Sequence, residues 1–236
     1  MTKTTSKSKV ADFFKLNTPN QNQGLVVPEI PVFCKNDCKE GRWMIGESEY
    51  GNKMEMLIVN FSKRIQDRNV FYDKRIAQGQ VWFTPISGEV PSNIIYYTLI
   101  KNSKSGKSGS LKNFAQQLAI AASLGYADPR QLVWTPRFVK RSGAIPDENG
   151  VMQSATWYVL DWAFREIEES ELPALENCVG VMSDPEQMAM LYDPDLEGDS
   201  VCVDGMSPQQ ISAMLRGNEP LALAPAIDGR LTSPGE

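Results

Sequence analysis

The sequence predicts a mainly β protein of the α+β kind: a β body with one helix before its last two strands, then a short acidic helical annex. Three observations lead there. Strand-like runs recur between residues 41 and 167, broken by one segment of helical period. Charge changes sign along the chain. Residues 1–142 hold 21 Lys/Arg against 11 Asp/Glu, a net +10, whereas residues 143–236 hold 3 against 18, a net −15. The 236 residues are 42% hydrophobic and 22% charged, which is ordinary for a folded chain able to bury its own core without disulfides or metal.

Taken in order, residues 1–24 read as a disordered basic and polar arm with Lys3, Lys7, Lys9 and Lys15. Prolines 28 and 31 punctuate an extended stretch over 26–33. Residues 41–47 form a short run between glycines, and 53–65 (KMEMLIVNFSKRI) a long apolar one. Residues 80–86 alternate, and 93–101 (NIIYYTLIK) carry β-branched and aromatic residues throughout. A Ser/Gly/Lys loop over 102–110 follows. Then Leu111, Phe114, Leu118, Ala121 and Ala122 fall at helical spacing, with Ser110 as N-cap and Gly125 just past the end. Residues 131–139 and 154–167 return to strand character and read as a hairpin with a long tip, 140–153. The body is therefore 25–167. The annex, 168–217, has a helix over 168–177 limited by Pro173, and two starts of the cap-then-proline kind at Asp184-Pro185 and Ser207-Pro208. Residues 218–236 read as a flexible tail with three prolines.

The composition narrows the chemistry. With no histidine there is no Ser-His-Asp triad, no Cys-His pair and no imidazole ligand. Cys34, Cys38, Cys178 and Cys202 make one close pair and two singles, not the two close pairs of a four-thiolate zinc site. Lys101–Ser108 ends in Gly-Lys-Ser but has Lys101 where a phosphate-binding loop needs glycine. Acids alternate from Asp193 to Asp199 without the register of a calcium hand. No catalytic residue, metal or cofactor is expected. A Lys/Ser/Thr-rich start without an apolar stretch, and no apolar run near ~20 residues, point to a cytoplasmic protein that does not engage a membrane.

Basic and aromatic residues gather on the connections of the β body. Lys63, Arg64, Arg68, Lys74 and Arg75 are interleaved with Phe71 and Tyr72; Lys101, Lys104 and Lys107 occupy the Ser/Gly loop; Arg137, Lys140 and Arg141 stand at the hairpin entrance. Strand alternation sets Tyr158, Leu160, Trp162 and Phe164 on one face, as core, and Trp157, Val159, Asp161 and Arg165 on the other. By the same sorting Trp134 and Phe138 are buried. Trp82, Trp157 and Arg137 are the stacking candidates, and Arg165 beside Trp157 is a further binding cation. Cationic grooves for the backbone and aromatic faces for the bases are how single strands are held.

Strands, a helix and a closing pair of strands over about residues 40–167 resemble the OB-fold, a five-stranded barrel. With the acidic C-terminal region, the layout resembles OB-fold single-stranded-DNA-binding proteins, whose acidic tails recruit replication and repair partners. The bacterial tail ends in Pro-Phe, whereas this chain ends Ser233-Pro-Gly-Glu236. The resemblance implies a non-enzymatic binder of single-stranded nucleic acid, DNA first, in replication, recombination or a mobile element, and is compatible with a homo-oligomer. The alternative is a structural or assembly module that docks a protein through the annex, on the apolar faces Met188, Met190, Leu191 and Ile211, Met214, Leu215.

Overall fold

A computed structural model of the chain describes residues 32–66, 76–102, 109–126, 128–146, 149–191, 200–207 and 209–210. The expected arm over 1–24, the acidic run 193–199 and the expected tail lie outside these residues. The strands are β1 (Val32–Asp37), β2 (Arg42–Ile45), β3 (Ser48–Tyr50), β4 (Met54–Gln66), β5 (Ile76–Gly88), β6 (Tyr96–Lys101), β7 (Leu132–Pro146), β8 (Met152–Glu166) and β9 (Ser200–Cys202). The helices are α1 (Ser110–Ser123), α2 (Leu172–Ser183) and α3 (Pro185–Met190).

The protein is mainly β. The strands form one curled sheet in the order β3-β2-β1-β6-β5-β4-β7-β8, with β9 paired to the far end of β4. Five strands were expected; the described residues hold nine. β1 joins β6 in parallel, and β3 and β9 are three-residue strands too short to show an alternation. Register shifts in β4 at Glu55/Met56 and Ile58/Asn60 bend the sheet, as bulges do. One helix does precede two long antiparallel strands.

Both faces of the sheet carry a core. On one, Met56, Ile58, Phe83, Trp134 and Trp162 pack against Phe114 and Ala121 of α1. Phe114 sits between Trp134 and Trp162, with ring centres at 5.0 and 4.7 Å. On the other, Leu57, Val59, Trp82 and Val133 lie with Leu175, Cys178 and Val181 of α2. Pro173 opens α2 rather than limiting it, because a proline in the first turn removes only an N–H that has no helical partner. The boundary expected at 167/168 therefore runs through a packed body. Among the described residues, those up to Cys202 form one compact unit and those from Val203 belong to a second. Within that second unit Ser207 Oγ accepts from Gln210 N–H at 3.2 Å, and Ser207 N–H donates to Gln210 Oε1 at 2.8 Å, a reciprocal cap at the expected helix start.

Two local readings change. Gly109, not Ser110, is the N-cap of α1; the Ser110 hydroxyl is turned to β8, where it accepts from Leu160 N–H at 2.8 Å. Gly125 does follow α1, at φ +93°, where a side chain would be strained. The expected long tip of the last hairpin is mostly strand. β7 and β8 stay in one unbroken register from Leu132↔Glu166 to Pro146↔Met152. The outer half, Ser142–Ala144 against Ser154–Thr156, has no apolar alternation because neither of its faces is buried.

Candidate nucleic-acid interface

The two faces of the β7–β8 ribbon sort the cations of the hairpin. Arg137, Val139, Arg141 and Gly143 alternate onto the face that carries Val133; their partners include Asp161, Val159 and Trp157. Lys140 points the other way, beside Tyr158 and on the side of Phe138. At the inner end of this face α2 covers the sheet. Toward the outer end Arg137 and Arg141 are exposed and Trp157 is half-buried. Lys53 joins Arg137 by an isolated antiparallel bridge, so a third exposed cation stands at the root of the ribbon. Among the described residues, Arg137 and Arg141 have no ion pair; Asp161 stands across from Arg137 without one.

Trp157 differs from the other four tryptophans. Trp43, Trp82 and Trp134 are fully buried and Trp162 nearly so. Trp157 lies diagonally across β7 instead. A Cβ added to Gly143 would meet its ring at 3.0 Å from Cη2 and 3.5 Å from Cζ3. The indole edge therefore rests on the glycine backbone, next to Arg141. A larger residue at 143 would push the ring off the strand.

Three of the expected binding residues are placed elsewhere. Trp82 is fully buried. Alternation assigned it to the right face, opposite Val81 and Phe83, but α2 covers that face here. Arg64 is only 8% exposed and by register lies on the same face of the sheet, across from Gln78 on β5. Arg165 is held on both sides by carboxylates: its guanidinium donates to Glu55 at 3.0 and 3.2 Å and to Glu171 at 2.6 and 2.7 Å. The Arg165 guanidinium in turn holds both the Glu55 and the Glu171 carboxyls below their usual range. Arg165 thus ties β8 and β4 to the start of α2. No single-residue signal in the sequence marks this, because Glu55 is 110 positions away.

Lys63 is exposed and Lys101 half-buried. They sit at the other end of the sheet, where Lys63 faces Gly79 and Lys101 faces Gln78 on β5. Nine residues of β4 lie between Lys53 and Lys63, about 30 Å of strand. The exposed candidate cations among the described residues thus stand at two separate ends of the sheet. Arg68, Phe71, Tyr72, Lys74, Arg75, Lys104 and Lys107 lie outside the described residues.

The protein-docking alternative loses part of its surface. Leu191 is 2% exposed and Met188 packs against the α2-side core, so α3 has no free apolar face at these two residues. Ile211, Met214 and Leu215 lie outside the described residues. A cavity of about 210 Å³ opens between Thr84–Ile86 of β5, Asn93 and the Glu171–Asn177 side of α2. Its one carboxylate, Glu171, is the one engaged by Arg165. Burial pushes the Cys34 and Cys178 thiols up to about 12 and Cys38 to about 11, so these three are protonated at neutral pH and poor nucleophiles. Among the described residues no three His, Cys, Asp or Glu side chains gather as a metal site, and no helix is long and apolar enough to cross a membrane.

Compared with protein-family models, with curated proteins and with solved structures, the chain matches none.

Proposed function

We propose that the chain binds single-stranded nucleic acid, DNA in the first place, without catalysing a reaction, in replication, recombination or a mobile element. One observation carries this reading: the only tryptophan outside the two cores stands beside Arg141 and Arg137 on the open face of a β ribbon. Stacking on an aromatic face is tolerant of base identity, and unpaired guanidinium groups hold the phosphates. Lys53 extends the charge toward the sheet, and Lys63 and Lys101 at the opposite end would take a second stretch of the strand. The finer likeness to OB-fold proteins belongs to this proposal too. It rests on a curled sheet and a helix before two long antiparallel strands, with exposed cations near the ends of several strands, in a larger sheet than theirs. The acidic second half competes with the strand for these cations or recruits a basic protein partner. Cytoplasmic action goes with this reading.

The test is a titration with a fluorescent single-stranded oligonucleotide and its duplex form at low and moderate salt. Tight binding that favours the single strand and weakens steeply with salt is the expected result, since released counterions drive it. Indifference to oligonucleotide at low salt would refute the reading and leave protein docking in its place.

A further inference from the structure

We infer that two copies of this chain pair through the outer half of β8, in an antiparallel continuation of the sheet. β8 is the last strand of the sheet. Its outward main-chain groups belong to the even-numbered residues. Tyr158 N–H donates to Cys38 O at 2.7 Å, and Leu160 N–H to Ser110 Oγ at 2.8 Å, with Leu160 O accepting from Asn113 Nδ2 at 3.1 Å. The β1–β2 turn and α1 therefore close the inner part of this edge. Among the described residues the same outward groups of Met152, Ser154 and Thr156 have no such cover, and all three residues are exposed.

This edge lacks the usual protection. Native sheets guard a long free edge with charge, proline or shortness. At the opposite edge β3 is three residues long and holds Glu49. From Val151 to Leu160 the chain has ten residues without a charge or a proline, in a protein that is 22% charged. Val151 and Met152 are 55% and 59% exposed. Among the described residues the ribbon beyond Val139 is two-stranded, because the pairing to β7 from the β4 side ends at the Lys53–Arg137 bridge, and a lone two-stranded ribbon is marginal in water. A neutral, self-complementary strand suits a second copy of itself: no like charges oppose one another across the new pair.

The geometry specifies a register. The open run is centred on Ser154. Pairing Ser154 with the partner's Ser154 puts Met152 opposite Thr156 in both directions and forms about six main-chain hydrogen bonds. The two-fold axis of such a pair is normal to the sheet, so both copies present the same face to the same side. The two Trp157 residues then lie about 20 Å apart on one surface, each beside its own Arg141 and Arg137. Pairing itself does not depend on the nucleic-acid reading.

The experiment uses the full chain. Sedimentation equilibrium at a concentration on the order of 100 µM is expected to give twice the chain mass of 26.3 kDa. Ser154→Pro removes an outward N–H without breaking a bond to β7, and Ser154→Lys places charge on the edge. Both are expected to sediment at the chain mass with unchanged circular dichroism. Ser154→Cys is expected to form an interchain disulfide on mild oxidation that the parent chain does not form. A monomeric parent, a dimer indifferent to both substitutions, or no crosslink through position 154 would each overturn the inference. If both edge substitutions disturb folding, the crosslink decides. Loss of the dimer with oligonucleotide binding retained would leave the proposed function standing, and the converse would leave the dimer standing.

Discussion

Leu175→Ala tests whether the acidic region is part of the body. Leu175 is 1% exposed and lies in the core shared by α2 and the sheet. Truncating a buried leucine costs about 2–5 kcal/mol, lost transfer energy plus a residual cavity. For a chain of this size each kcal/mol shifts Tm by roughly 2–4 °C, so a fall of about 5–20 °C is expected by scanning fluorimetry or circular dichroism. Truncation after Ile167 is more severe. It uncovers Leu57, Val59, Trp82 and Val133, and at about 1.5–3 kcal/mol per apolar side chain the loss of roughly 6–12 kcal/mol rivals the whole stability of a domain. The truncated chain is expected to be insoluble or to melt without a cooperative transition. A soluble 1–167 chain with a cooperative melt and wild-type resistance of its tryptophan emission to acrylamide would refute this. Such a result would mean that α2 is an appendage and the sheet holds itself together.

Other perturbations read the remaining parts. Arg137→Gln with Arg141→Gln is expected to reduce the slope of log affinity against log salt by about 1.4, at roughly 0.7 for each phosphate of a single strand that is no longer neutralised; an unchanged slope removes this face from the interface. Trp157→Ala is expected to weaken oligonucleotide binding by about 1–3 kcal/mol, with Trp157→Phe recovering much of it, and fluorescence anisotropy reads both. Neutralising Lys101, Lys104 and Lys107 together is expected to shallow the salt slope; no effect on binding excludes that loop. The Arg165 knot sets an acid limb of stability. Both Glu55 and Glu171 titrate below the ordinary value of 4.5 in the folded chain, chiefly through their bonds to Arg165. Their contribution is complete above about pH 4.5 and is lost as pH falls through the lower folded values. A pH series of thermal melts is expected to show this fall in the parent and a flatter acid limb in Arg165→Met.

How much was legible in the residues differs by element. The apolar, strand-forming composition of 53–65 and 93–101 located β4 and β6, which are buried on both faces; the alternation in 154–167 located β8, and the 3.6 period after Ser110 located α1, which buries one face. β3 and β9 are too short to alternate, and the outer β7–β8 ribbon buries neither face, so main-chain bonding alone makes it strand. The expectation for Trp157 and that for Trp82 came from the same rule, yet only Trp157 is half-exposed. Alternation separates two faces of a strand but does not say which one a distant helix covers.

The amino-acid sequence by itself determined the strand-rich body, the single helix before two long strands, the split of charge and the absence of imidazole chemistry. These follow from composition and from periods of two and 3.6 residues, which are local. Only the tertiary structure decided that α2 lies over Trp82, that Glu55 and Glu171 occupy Arg165, and that Arg137, Arg141 and Trp157 share the open end of one face. Those outcomes depend on pairings between residues many positions apart, whose geometry is set when the sheet curls and its second face is covered.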